Sequence, residues 1–344
     1  MLCSRYTLPY RVLRCAADAG VNVHVLGNEA TKGFKHSRYC KKFIQSDVDI
    51  DGAFHQEIVD QINEIVREHK IDVVFGSDAE ASRSLHTMGS QIQTKIFPGP
   101  TLEQFDLLND KWQFKKLCDN LGILTPRSHH FESKSDLQRA FEAGEIGLPC
   151  ILKPLSLDAS HGVLKADRDN AEAQIEKVYY APIICQDYIE GLDIGASIYC
   201  ENGEVMDFIA HKFYGRTYTT LGGHGILEDV SKIAKSLSLN GVYNFDMRLD
   251  GKGNVYYLEC NPRFFFKMYL SLMAGINFTK HGFFPNGQAP MNVVGEGTSV
   301  RMPLALPVVS YKPWVITKRD LQMAGFLLRD PICYLRESLR IEWD

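Results

Sequence analysis

The residues best suited to chemistry lie on a short acidic hairpin. Val242-Tyr-Asn-Phe-Asp-Met-Arg-Leu-Asp250 and Val255-Tyr-Tyr-Leu-Glu-Cys-Asn-Pro-Arg263 flank the turn Gly251-Lys-Gly-Asn254. Side chains of a strand alternate between faces, so Glu259 and Asn261 point one way, as do Asn244, Asp246 and Arg248 on the partner strand. With a loop over 251–254, Asp246 stands directly opposite Glu259, about 4.5–5.5 Å away at Cβ. Two carboxylates at that separation repel unless a cation lies between them. Hard oxygen ligands so placed suit magnesium, which accepts one or two carboxylates and completes its shell with water and phosphate oxygens. The alternative is a solvated hairpin neutralised by Arg248 and Arg263.

Other residues could serve the same cluster. Lys153 ends an apolar strand between Leu152 and Pro154, and proline forces the residue before it into an extended conformation. Its ammonium then points into a cleft, or snorkels from a sheet edge. Lys111, in Asp110-Lys-Trp-Gln-Phe, opens a helix. Gln186-Asp-Tyr-Ile-Glu-Gly-Leu-Asp193 starts as a strand and breaks at Gly191. The break would leave backbone groups at Tyr188 to Glu190 free to read a flat base edge, with Asp193 able to accept hydroxyls just beyond. Taken alone, that segment is equally a strand ending in a glycine turn.

The elements that position these residues are legible in outline. At 344 residues, 45% hydrophobic and 23% charged, the chain has material for two or three globular domains. A net charge of −4 without a basic stripe argues against a nucleic-acid partner. Nine scattered cysteines without a C-x-x-C pair fit reduced thiols better than disulfides or zinc. No apolar run approaches the roughly 20 residues of a membrane span, and the start lacks the layout of a secretory signal, so a cytoplasmic protein away from membranes is expected. The stretch from Phe264 to Ile276 reads as a buried helix.

Over the first hundred residues strand and helix signals alternate. Tyr10 to Ala19 and Phe54 to His69 read as helices, Val21 to Leu26 and Ile71 to Phe75 as strands, which predicts a parallel sheet with crossovers. Only Met1 to Ser4 remain for a preceding strand. After Pro98-Gly-Pro100 comes a compact unit of two helices on a small antiparallel sheet. Then follow strands Ile194 to Tyr199 and Val205 to His211, a Gly- and Thr-rich loop from Tyr214 to Gly225, a helix Leu227 to Leu237 and the acidic hairpin. The expected division is 1–100, 101–190, 191–290 and a mainly helical 291–344.

In this order, Asp-Lys opening a helix, Leu-Lys-Pro ending a strand, Gln-Asp-Tyr-Ile-Glu-Gly at a hinge, Asp246 and then Glu259-Cys-Asn-Pro-Arg263 resemble the ATP-grasp superfamily, of carboxylate–amine ligase type, across roughly residues 100 to 280. The resemblance implies a parallel α/β domain of the pre-ATP-grasp kind followed by a two-subdomain ATP-grasp fold, α/β and α+β in class. It implies ATP as substrate, with magnesium or manganese. Lys111 and Lys153 would contact the nucleotide phosphates, with Ser160 and His161 of the covering loop. Gln186, Asp187 and the backbone around Tyr188 and Ile189 would hold the base, and Asp193 the ribose. Asp246, Glu259 and Asn261 would hold the metal, and Arg263 would stabilise charge at the reacting carboxylate. The loop Leu155-Ser-Leu-Asp-Ala-Ser-His-Gly162 is poorer in glycine than the family's, and Phe264-Phe-Phe-Lys267 is bulkier than usual there.

On the substrate side, Lys212, Arg216 and His224 are candidates to bind a carboxylate, because guanidinium pairs with it in a fork. Arg216 is also expected to act in catalysis. Asp78, beyond a strand of the first domain, is a candidate for an amine. The expected reaction joins a carboxylate to an amine through an acyl phosphate, and related folds are commonly dimeric, which allows a homodimer. The alternatives are a carboxylase, a small-molecule kinase, or a nucleotide-binding protein with little turnover.

Overall fold

A computed structural model of the chain describes residues 1–156, 161–285, 291–302 and 313–339. Its first part is a parallel sheet of β1 (Leu2–Cys3), β2 (Val23–Gly27), β3 (Cys40–Gln45), β4 (Val73–Val74) and β5 (Lys95–Ile96). β2 lies between β1 and β3, β4 pairs with β5, and a bridge from Leu2 to Gly76 joins the two groups. The short β1 is a true strand: Leu2 N–H donates to the Phe75 carbonyl at 2.8 Å, and Ser77 N–H to that of Leu2 at 3.0 Å. Helices Thr7–Asp18 and Gln56–His69 make the crossovers. β3 escapes a hydropathy reading because Lys41 and Lys42 leave it half-exposed.

The second unit is an antiparallel sheet of β6 (Ser128–Phe131), β7 (Cys150–Pro154), β8 (Leu164–Ala166) and β9 (Ile183–Asp187), ordered β6-β9-β7-β8. Helices Lys134–Glu142 and Ala171–Glu176 cover one face, the first capped by Ser133. Leu137, Ala140, Cys150, Leu152, Ile183 and Cys185 fill the space between. Residues paired across antiparallel strands share a face. Lys153 opposite Ile184, and Ile151 opposite Gln186, therefore stand on the uncovered side, toward the cleft.

The third unit is a seven-stranded sheet of β10 (Gly191–Glu201), β11 (Glu204–Tyr214), β12 (Thr217–Leu221), β13 (Gly241–Asp250), β14 (Val255–Asn261), β15 (Asn292–Val293) and β16 (Ser299–Arg301), ordered β14-β13-β10-β11-β12-β16 with β15 beside β11. β12 falls inside the stretch read from sequence as a loop. Thr217, Thr219 and Thr220 are β-branched and suit a strand, and the glycines that suggested a loop, Gly215 on one side and Gly222, Gly223 and Gly225 on the other, flank it. Ala196, Ile198, Phe208, Ala210, Phe245 and Cys260 pack on one face with helix Ile226–Ser236. The opposite face carries Gly195, Ser197, His211, Asn244 and Asp246.

Helices Met268–Ala274, Lys318–Leu328 and Pro331–Leu339 return to the first sheet, where Leu13, Phe75, Phe97, Phe264, Met323 and Cys333 share one core. Ser37 Oγ donates to Asp330 at 2.6 Å, tying the last helix to the first domain. Gly191 opens β10 with φ 154, and a Cβ there would lie 2.1 Å from the Leu249 carbonyl oxygen. The break expected at that glycine is thus a close approach of two backbones that a side chain would obstruct.

Candidate active site

Asp246 stands opposite Glu259, and Asn244 opposite Asn261. The route differs from the simple hairpin. Leu249 pairs with Val255, one step off the expected register, and an irregularity after Asp246 skips Leu258 and restores the pairing. The bulge thus compensates for the wider turn. In that turn Asp250 Oδ1 accepts from the amides of Lys252 and Asn254, each at 2.8 Å.

Around the two carboxylates the polar groups converge. Asn244 Nδ2 and Asn261 Nδ2 donate to Asp246 at 3.4 and 3.2 Å, and Arg263 Nη2 donates to Asn261 Oδ1 at 3.0 Å. Lys111 Nζ lies 3.3 Å from Glu259 Oε2. Its backbone N–H donates to the Leu155 carbonyl at 2.9 Å, while Asp110 caps its helix through the amides of Trp112 and Gln113. The capped helix and the β7 strand end therefore bring Lys111 and Lys153, both buried, to the same acids.

The electrostatics follow from burial and these neighbours. Burial pushes the Asp246 carboxyl up, and the charge of Glu259 adds to it. For Glu259, burial acts upward, but Lys111 and Lys153 outweigh it and hold the carboxyl below its usual range. Burial draws the Lys153 ammonium down to about 8, against the pull of Glu259. Two carboxylates and an amide oxygen among these cations form a hard oxygen donor set of the size magnesium needs when phosphate and water supply the rest.

On the expected nucleotide side, Gln186 is buried in the cleft face and its Nε2 donates to Ser128 Oγ at 3.1 Å. Asp187 pairs with Cys150 and so stands on the other face of the sheet, away from Lys153, because strand alternation separates it from Gln186. The Tyr188 amide donates to the Pro149 carbonyl at 3.0 Å, so this N–H is occupied in the structure, contrary to the expected free hinge. Arg248 bonds the Ile189 carbonyl at 3.0 Å, Asp193 at 2.7 Å and the Tyr188 hydroxyl at 3.2 Å. It stitches the hinge to β13 and takes up the Asp193 carboxylate. Lys165 Nζ lies 3.8 Å from the Tyr188 ring centroid. His161 is exposed, and Ser160 lies outside the described residues.

The substrate-side expectations fare differently. Asp78 caps helix Ala79–Met88 and accepts from Ala81 N–H and Ser4 N–H at 2.8 Å and from Ser4 Oγ at 3.0 Å, with 2% exposure. Its oxygens hold the start of the chain to the first sheet in place of an amine. Lys212 pairs with Ile194 and Thr219, on the sheet face opposite to Asp246. Arg216 is exposed at the tip of the β11–β12 hairpin, and its carbonyl accepts from Met302 N–H at 2.8 Å. His224 is exposed in the following loop, at φ 59.

Two residues that motif order did not select occupy the face of the cluster. Glu259, Asp246, Gly195, His211 and Thr220 form one row across β14, β13, β10, β11 and β12. Gly195 leaves a notch in it, since a Cβ there would come 2.8 Å from His211 Cε1. His211 is buried, stacks on Tyr218 at 4.4 Å, and its Nε2 lies 3.4 Å from Lys267 Nζ. The signal was the alternation of β11, which puts His211 and not Lys212 on the face of Asp246.

Comparison with known proteins finds similar sequences and similar folds. A family model described as "ATP-grasp in the biosynthetic pathway with Ter operon" matches residues 180–289, from β9 past the acidic hairpin. The arginine-specific carbamoyl phosphate synthase large chain of Bacillus subtilis is 25% identical over 233 residues, covering 61% of this chain and 22% of that protein. D-alanine–D-alanine ligase of Nitrosospira multiformis is 26% identical over 207 residues, covering 54% of this chain and 65% of the ligase. The chain thus spans less than two thirds of either relative. Among solved structures, L-amino acid ligase from Bacillus licheniformis aligns with a TM-score of 0.63 at 18% identity, covering 82% of this chain and 72% of that one. The biotin carboxylase domain of Hydrogenobacter thermophilus 2-oxoglutarate carboxylase, solved with MgADP, aligns at 0.61 and 15% identity, covering 84% and 71%. Residues 180–289 thus match an ATP-grasp family model, and the chain shares its fold with these ligase and carboxylase structures.

Proposed function

We propose that the chain is an ATP- and magnesium-dependent ligase that joins a carboxylate to an amine through an acyl phosphate, with ADP and phosphate as products. The observation that carries this reading is the meeting of Asp246 and Glu259 across β13 and β14, with Lys111 at 3.3 Å and Arg263 bonded to Asn261. The reading also draws on the names of the relatives, an amino-acid ligase and a D-alanine–D-alanine ligase among them.

In the proposed chemistry a carboxylate oxygen attacks the γ-phosphorus of ATP and the bond to the bridging oxygen of ADP breaks. The amine nitrogen then attacks the acyl carbon, phosphate leaves, and the amine proton passes to solvent. Magnesium held by Asp246, Glu259 and Asn261 would neutralise phosphate charge during the transfer. Lys111 and Lys153 hold the phosphate oxygens from the cleft side, and Arg263 fixes the acid and stabilises charge developing on it. No nucleophilic side chain is required, and the burial of Cys150, Cys185, Cys200 and Cys260 accords with that.

The test is ADP release from Mg-ATP with amino acids supplied pairwise as acid and amine, and with hydroxylamine replacing the amine. The expected result is release that depends on an acid, hydroxamate formation when hydroxylamine is present, and loss of both in Glu259→Ala. A phosphorylated substrate stable to hydroxylamine would point to a kinase. ADP release no greater than in the variant for every pair would remove the ligase reading.

A further inference from the structure

We infer that Lys267, held in place by His211, binds the carboxylate of the amine substrate, so that the acceptor is an amino acid with a free carboxyl group. This rests on the ligase reading above and specifies which amine the site takes.

Gly195 opens a notch in the row of side chains. On its β13 side lies Asp246, and on its β11 side lies the buried His211 ring, stacked on Tyr218. Lys267 follows β14 by a short turn, and its Nζ comes 3.4 Å from His211 Nε2. An ammonium has donors only, so Nε2 must accept and Nδ1 must carry the imidazole proton. That Nδ1–H is buried without a hydrogen-bond partner among the described residues. Burial, with the neighbouring lysine, keeps the imidazole neutral. His211 therefore works as an acceptor that positions an ammonium.

Only one of the three ammonium protons is used by the histidine. Among the described residues no carboxylate lies within ion-pair distance of Lys267, whereas Lys111 has Glu259. Lys267 nevertheless lies near enough to Asp246 for its charge to favour that carboxylate. It is half-buried beside the Phe213 ring, 5.3 Å from the centroid. A cation so fixed, facing the reaction centre from across the notch, is built to take an oxyanion. The acid to be activated has Arg263 on the Asn261 side. The remaining anion of an amide-forming pair is the carboxylate of an amino-acid acceptor, whose amine would then lie toward the metal cluster.

The experiment uses the full chain with Mg-ATP and the acid–amine pair of highest ADP release. The amine is compared with its amide and with the corresponding amine lacking the carboxyl group. The wild-type protein is expected to prefer the free acid at least tenfold in kcat/KM. In Lys267→Met, KM for the acceptor rises about tenfold or more, a larger change than in KM for ATP, and the preference for the free acid disappears. Lys267→Arg restores part of the preference, and His211→Phe, which frees the ammonium, gives an intermediate KM. Equal use of acid and amide by the wild-type protein, or an unchanged acceptor KM in Lys267→Met, overturns the inference while hydroxamate formation keeps the ligase reading intact. Absence of hydroxamate and ADP release with every acid overturns both.

Discussion

Glu259→Gln is expected to abolish metal-dependent nucleotide turnover, lowering ADP release by at least about 10²–10³-fold, the scale of losing one preorganised charge partner at a phosphoryl-transfer centre. The substitution keeps the shape and removes one charge. Lys111, with a side chain only 6% exposed, then loses the carboxylate 3.3 Å away. Asp246 remains as an acid near Lys153 and Lys267. Two consequences separate this loss from simple unfolding. The wild-type protein should gain about 2.7 kcal/mol of stability at a nucleotide concentration of 100 times its Kd, seen as a rise in Tm with Mg-ATP. The variant should show little rise even where its folding transition stays cooperative, its Tm without ligand having fallen because Lys111 remains buried after losing that carboxylate.

Lys153→Met is expected to weaken ATP binding by about 2–4 kcal/mol, or about 10²-fold, through loss of a charge-assisted contact in a buried cleft. Methionine fills the same channel on β7, and replacing a buried charge with an apolar chain is often neutral for folding, so Tm should hold or rise. The wild-type protein carries a pH signature of the same residue. The ammonium is drawn down to about 8 against an ordinary value of 10.5, chiefly by burial. Below pH 8 it is charged and ready for phosphate. As pH rises through about 8 the free protein loses that proton, and nucleotide binding must restore it. Calorimetry in buffers of different ionisation enthalpy should therefore show proton uptake on Mg-ATP binding at pH 9, little at pH 7, and none from this residue in Lys153→Met. Equal uptake by wild type and Lys153→Met at pH 9 would remove Lys153 from the phosphate site.

How far the site was legible in the chain depends on what fixes each residue. The facing of Asp246 and Glu259 was readable from alternation and loop length, although the structure reaches it by two offsets, a wider turn and a bulge, that cancel. Lys111 and Lys153 were readable because an aspartate cap and a following proline fix their backbones. Asp187, Lys212 and the Tyr188 amide were misplaced for one shared reason. A segment's identity does not say which face or which backbone bond it offers until its partner strand is known. Lys212 stands away from Asp246 because β11 pairs Gly195 with His211. Asp78 shows the opposite case: an aspartate between a strand and a helix is also an N-cap signal, and that local role consumes it. His211 and Lys267 lie far apart in sequence and become neighbours only through the notch at Gly195.

The most direct test of the ligase account follows the oxygen. A carboxylate substrate labelled with ¹⁸O in both oxygens is incubated with the protein, Mg-ATP and an amine, and the phosphate released is examined by ³¹P NMR. Transfer through an acyl phosphate leaves one labelled oxygen on inorganic phosphate, one in the amide, and ADP as the nucleotide product. Unlabelled phosphate, label retained in a phosphorylated acid, or AMP with pyrophosphate would contradict the account.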